Sequence, residues 1–455
     1  MRKPLNKLDV FVILIIPVFL LLSQQTISLL STTLATSGTA AIQIVELFIL
    51  CLAFYPVVIQ LIVKRKIREA NFLSKMIFYC MLFFSIFFVL ITAYRILRNE
   101  ASTGGFYLAR VVIESALIFL TLDYFKINPI SIFYGFLLSL LSTTIGQYII
   151  IIFGKGYIRG RGPILSNSVI YVTFVLMIIP IVWYFILNTQ KKFKLFLLLF
   201  YIVLIPALLL AGSRTGFSLA LLLSFISIMV FLPNKNLKRY IYYIGTLMVS
   251  SLIPLILLIV FGTTLQRNEV QRSISVPLEV VSIPLSKESK ITFPKLTNIL
   301  ALRNNEIENN VAEKEIKENK KSDFTIEASN NYRRKWNQTA KNEIFSSTKT
   351  FIVGTGRNQI QTQIHKKQSP HNILWQYLLP FGLIGTLFAF GIFFSPMLFV
   401  LKKKKEAISL LYMINGAMLV NGLVQPVYGW LVLCVTLMAL SYACLNFNYD
   451  LSKSK

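Results

Sequence analysis

Apolar runs of about 20 residues recur along this 455-residue chain, and each is long enough to cross the ~30 Å hydrocarbon core of a bilayer as a helix. Twelve such runs are read, at about 9–30, 40–63, 76–94, 107–125, 130–153, 166–188, 194–211, 215–232, 240–262, 373–400, 407–422 and 427–446. Backbone groups left unpaired in lipid are so costly that runs of this kind must be helical. The predicted fold class is therefore an all-α polytopic membrane protein. With 55% hydrophobic and only 14% charged residues, the chain departs from a soluble enzyme, which carries about 25% charged residues. The first run follows Arg2, Lys3 and Lys7, as a signal peptide would, but no A-x-A site comes after it and it is read as a helix.

The distribution of Lys and Arg sets the expected orientation. With the N-terminus inside, 21 of the 46 basic residues fall in inner segments and seven in short outer ones, so both termini are predicted to be cytoplasmic. The other 18 lie in one hydrophilic stretch, which faces outward; long loops translocate largely regardless of charge. Three regions result: helices one to nine over 1–262, a large extracytoplasmic loop over 263–372, and helices ten to twelve with a short tail over 373–455. The net charge of +27 is read as topology, and nucleic acid is not an expected partner.

Inside the loop, residues 303–323 are nearly all Asn, Glu and Lys, too polar to bury a core, and are expected to be mobile or a solvated helix. Next, Asn330 is predicted to cap a helix in which Tyr332, Trp336, Ala340 and Ile344 share one face. Its end is marked by Gly354 and Gly356, where the backbone turns freely. Cys51, Cys80, Cys434 and Cys444 each sit in an apolar run, which argues against a disulfide framework. With two histidines, four aspartates and no Cys/His cluster, a zinc site lacks ligands, and no cofactor is expected.

Three outward features can carry chemistry, and each has a plainer reading. Gly212-Ser213-Arg214-Thr215-Gly216 interrupts the apolar sequence between the seventh and eighth runs. An arginine there can simply snorkel to the interface, but this one faces out against the charge bias. Tyr332-Arg333-Arg334-Lys335-Trp336 can be a basic surface facing lipid headgroups, and that reading is preferred for Arg334 and Lys335, whereas Arg333 lies near the edge of the apolar face. His371-Asn372 opens the tenth run, followed by Gly382 and Gly385. The histidine can cap the helix, and the glycines can be close-packing points. An imidazole is also the side chain best suited to act as a base near neutral pH.

Taken in order, GSRTG opening a helix, a large outer loop holding R-x-x-W and G-x-G, and H-N-x9-G-x-x-G opening the next helix resemble the O-antigen ligase and polysaccharide polymerase superfamily of GT-C-like membrane glycosyltransferases. The resemblance covers roughly residues 195–400; the first six runs add only hydropathy, and the Asn/Glu/Lys-rich insert matches no signature of the family. It implies an inverting, metal-independent glycosyl transfer from an undecaprenyl-diphosphate-linked glycan donor to a glycan acceptor, on the outer face of the cytoplasmic membrane. It also implies that His371 is the general base and that Arg214 and Arg333 engage the donor diphosphate. A flippase and a chain-length regulator are the protein partners expected with it. The chemistry is coherent: the acceptor hydroxyl needs a base, the departing diphosphate needs positive charge, and guanidinium groups fork onto phosphate oxygens.

Outside these motifs, Gly154–Gly162 carries Arg159 and Arg161 between glycines and is read equally as a donor diphosphate site or a loop touching anionic lipid. Glu46 and Glu114 are acids inside apolar runs; Glu114 follows Arg110 by four residues, so a structural ion pair is its simpler role. The leading expectation is a polymerase that joins repeat units of a capsular polysaccharide, exopolysaccharide or O-antigen. A ligase moving the glycan to another acceptor shares the same motifs. A secondary transporter ranks well below, because the notable residues gather at the outer boundary and no internal repeat is seen.

Overall fold

The computed structural model describes residues 7–21, 71–98, 104–153, 168–189, 191–211, 214–232, 237–261, 326–357, 360–361, 367–368, 370, 372–424, 427 and 431–447. Over these the chain is helical apart from one pair of two-residue strands. The helices are α1 Lys7–Leu21, α2 Phe72–Leu97, α3 Gly104–Tyr124, α4 Pro129–Phe153, α5 Ser168–Asn188, α6 Lys191–Leu210, α7 Arg214–Phe231 and α8 Leu237–Phe261. They continue with α9 Ile326–Ile344, α10 Thr348–Val353, α11 Ile373–Phe399, α12 Lys405–Val424 and α13 Leu431–Leu445. Strands β1 (Ile360–Gln361) and β2 (Lys367–Gln368) pair antiparallel ahead of α11.

Eight of these helices are long and apolar enough to cross a membrane: α2 to α6, α8, α11 and α12. The runs expected at 9–30, 215–232 and 427–446 fall on α1, α7 and α13; the rest of the first run and the run at 40–63 lie outside the described residues. The third run begins earlier than hydropathy alone placed it. Asn71 caps α2 by accepting a hydrogen bond from the Ser74 amide at 2.9 Å, so helix geometry starts at Phe72 instead of 76.

Burial follows the distribution of apolar residues around each helix. In α5 nearly every side chain from Ile170 to Leu187 is buried, as a helix apolar on all sides must be when neighbours surround it. It packs against α7, α12 and α6, with Trp183 edge-on to Tyr201. By contrast, α2 and α8 leave one apolar face exposed, the pattern of helices on the outside of a bundle in lipid. Further packed pairs are α1 with α4, α3 with α13, and α2 with both α11 and α3.

The two ends of the bundle have different polar fastenings. At one end Asp123, buried at the foot of α3, accepts hydrogen bonds from Ser74 Oγ at 2.6 Å and Lys126 Nζ at 2.9 Å. Beside it, buried Asp9 accepts the Asn128 amide at 3.1 Å, and the Tyr442 hydroxyl donates to the Ile127 carbonyl at 3.0 Å. Polar groups shielded from water need such partners, and here they tie α1, α2, α3, α4 and α13 together. The opposite end receives α9 and α10, and is called the loop end below.

Candidate functional site

The face foreseen in the loop helix is the one that docks. Ala340 and Ile344 of α9 are fully buried against Leu378 and Leu379 of α11, and Trp336, Phe351 and Trp375 close the edges of this small second core. Arg334 and Lys335 are exposed, in keeping with a solvated basic face. Both ends of the helix differ from expectation: α9 begins at Ile326, so Asn330 lies inside it and does not cap it, and α9 ends at Ile344, so Gly354 and Gly356 follow the separate α10 instead. A capping side chain appears instead at Ser347, whose Oγ accepts the Thr350 amide at 3.1 Å and starts α10.

Helix α11 is two half-helices. Pro380 has no N–H to continue the ladder, and Gly382 takes φ 62 and ψ −167, a conformation that side chains rarely permit. The break leaves the carbonyls of Leu379 and Pro380 without their usual partners. They are supplied from the loop: the Thr355 amide donates to Leu379 O at 2.7 Å and the Gly356 amide to Pro380 O at 3.1 Å. Thr355 Oγ1 adds a bond to Leu379 O at 2.9 Å. Polar backbone shielded from water needs partners, and the Gly354-Thr355-Gly356 turn supplies them here.

That turn needs its glycines. Gly354 and Gly356 have φ of 73 and 77, and a Cβ on Gly354 would stand 2.5 Å from the Gly382 nitrogen. Reciprocally, a Cβ on Gly382 would stand 2.4 Å from the Gly354 nitrogen. The two glycines read in H-N-x9-G-x-x-G thus differ in role. Gly385 is a close-packing point, where a Cβ would come within 2.9 Å of the Phe87 ring, whereas Gly382 forms the kink.

Two further contacts hold the turn to the bundle. The Gly105 amide at the head of α3 donates to Gly356 O at 3.0 Å. Arg95, buried near the end of α2, directs Nη2 at Val353 O (2.9 Å) and Gly354 O (2.8 Å), the terminal carbonyls of α10. A cation on carbonyls left open at a helix C-terminus satisfies both hydrogen bonding and the helix dipole. Sequence reasoning missed this role. Arg95 counted only as one of seven outward basic residues, and nothing local pairs it with a segment 258 positions away.

The expected site residues distribute as follows. Arg214 is the first residue of α7 and Arg333 lies within α9, with the side chains of both outside the described residues. His371, Arg159 and Arg161 lie outside the described residues altogether, as do Glu46 and the insert at 303–323. The cap of α11 is Asn372, whose side chain accepts the Leu374 amide at 2.9 Å and donates to Leu423 O of α12 at 3.4 Å. The N-terminal end of α7 lies at the loop end: Gln147, late in α4, donates to Ala207 O in the last turn of α6, seven residues before α7 begins. Helix starts at Arg214 and Asn372 therefore share one end of the bundle with α9.

One charged pair among the described residues lies within α3. Arg110 Nε stands 3.8 Å from Glu114 Oε1, with the glutamate almost wholly buried and the arginine over the Tyr107 ring at 5.2 Å, which is the ion pair expected from the spacing. At the rim, Arg98 and Lys349 approach the Tyr94 ring at 5.6 and 5.0 Å, and Arg357 lies 3.8 Å from Glu343. Among the described residues no three His, Cys, Asp or Glu side chains converge as metal ligands would.

The class that fold and site define is an all-helical protein whose eight apolar helices can cross a membrane, with a loop module plugged into a broken helix at one end. No protein-family model matches the chain, and no curated protein matches it.

Proposed function

We propose that this protein is a multi-pass glycosyltransferase of the cytoplasmic membrane that joins undecaprenyl-diphosphate-linked repeat units into a polysaccharide on the outer face. In this reading about twelve helices span the membrane, both termini are cytoplasmic, and the loop end is extracytoplasmic. The observation that supports it is that the helix starts at Arg214 (α7) and Asn372 (α11) share one end of the bundle with α9, which packs on α11 through Ala340 and Ile344. Sequence distances of more than 100 positions separate the first of these from the others, so their shared end is not a consequence of chain proximity.

In the proposed reaction the acceptor hydroxyl attacks the anomeric carbon of the donor glycan while its proton passes to the His371 imidazole. The bond from that carbon to the diphosphate oxygen breaks, the configuration inverts, and undecaprenyl diphosphate leaves. Arg214 and Arg333 are assigned to the charge that builds on the diphosphate, where permanent bidentate cations act most strongly. Arg159 and Arg161 are assigned to the same diphosphate or to neighbouring anionic lipid. A flippase and a chain-length regulator are the partner proteins of this reading.

The test is the length of surface glycan made by a deletion strain complemented with wild type or with His371→Ala, at matched membrane insertion. Wild type should restore a ladder of repeats and the variant should leave single repeats. A polymerised ladder retained on the carrier lipid but missing from the final acceptor would instead identify a ligase, the second reading that the shared motifs favour. A full ladder from the variant would remove His371 as the base and reopen transport.

A further inference from the structure

We infer that Arg95 is a positioning residue for the chemistry at the loop end: its guanidinium latches the Gly354-Thr355-Gly356 turn into the break of α11 and so fixes the half-helix capped by Asn372, the residue that follows His371 in sequence. This rests on the glycosyl-transfer reading.

The chain of contacts is continuous. Arg95 Nη2 holds Val353 O and Gly354 O; the turn that follows donates to Leu379 O and Pro380 O; those carbonyls belong to the outer half of α11, whose first turn is closed by Asn372. Gly356 is fitted to the arginine, since a Cβ there would strike the guanidinium nitrogen Nη1. The same residue accepts the Gly105 amide through its carbonyl, so α2, α3 and α11 meet at one tripeptide. Arg95 is buried, so its charge is held where its hydrogen bonds count most.

A latch at this point has leverage. From Gly382 to Asn372 is ten residues, about 15 Å of helix. A swing of about 5° at the break moves the head of the half-helix by roughly 1.3 Å, and misplacement of about 1 Å at a reacting group can lower a rate about 100-fold. The two hydrogen bonds described for its Nη2 go to protein carbonyls of the turn, so its loss should reduce turnover much more than donor affinity.

The experiment compares wild type, Arg95→Ala and Arg95→Lys in nanodiscs. Hydrogen exchange is followed at the Thr355 and Gly356 amides and across α5. Turnover is followed as release of undecaprenyl diphosphate from lipid-linked glycan extracted from the deletion strain. Arg95→Ala should speed exchange at Thr355 and Gly356 by about tenfold or more while α5 is unchanged. Its kcat should fall at least tenfold per folded molecule, with the KM for donor within about twofold of wild type. Arg95→Lys keeps a charge but not the fork, and should lie between the two, so the inference stays testable if the alanine variant fails to fold. Unchanged exchange at the turn overturns the latch. Faster exchange with unchanged kcat overturns its role in positioning. A wild type that releases no undecaprenyl diphosphate, with exchange behaving as expected, overturns the glycosyl-transfer reading and Arg95's part in it while the latch itself stands.

Discussion

Gly382→Ala should destabilise the loop end by several kcal/mol, although it adds one methyl group to a long apolar helix. Two costs add. The backbone at φ 62 and ψ −167 lies in a region open essentially to glycine, and forcing alanine there costs about 1–3 kcal/mol. The new Cβ would also meet the Gly354 nitrogen and the Ile352 oxygen, each at 2.4 Å, and both are backbone atoms that no rotamer change can move. Relief requires the turn to withdraw, which breaks at least the two amide bonds from Thr355 and Gly356 to Leu379 and Pro380, about 1 kcal/mol each. The total is about 3–5 kcal/mol. An internal control comes from Gly416→Ala in α12, where an added Cβ meets nothing within 4 Å; helix propensity there favours alanine by up to about 1 kcal/mol. Both variants are heated in detergent and the surviving folded fraction is measured by fluorescence-detected size exclusion. Gly382→Ala should melt clearly below wild type and Gly416→Ala at or above it. A Gly382→Ala protein as stable as wild type would refute the argument that the turn and the break require each other.

Other parts of the site give equally direct expectations. Ile344→Ala removes a fully buried side chain from the small core between α9 and α11 and should cost about 2–4 kcal/mol, read as faster hydrogen exchange confined to α9 and α10; uniform exchange across the bundle would contradict a separate loop module. Arg110→Ala should destabilise by about 2 kcal/mol, less than a fully buried pair because a third of the arginine side chain is exposed, and adding Glu114→Gln should restore most of the loss. A double variant no more stable than Arg110→Ala in thermal unfolding would show that the two residues do not act as a pair.

What was legible in the sequence is what depends on neighbours a few residues apart. Eleven of the twelve expected apolar runs fall on described helices, because an apolar segment shielded from water must close its own hydrogen bonds. The four-residue spacing of Trp336, Ala340 and Ile344 named the buried face of α9, and Gly354 and Gly356 marked the turn, since these are local properties of helix geometry and of φ. The motifs holding Arg214, Arg333 and His371 could likewise be read as residue types at particular spacings. Tertiary structure decided what these local features are for. Hydropathy could not say that Gly382 breaks α11 while Gly385 packs against α2, because both are glycines in one apolar run and differ only in what approaches them. Nor could it single out Arg95 from the other outward cations. Its partners are two backbone carbonyls, which every residue carries and no sequence pattern distinguishes; only folding brings that pair within reach, across 258 positions of chain.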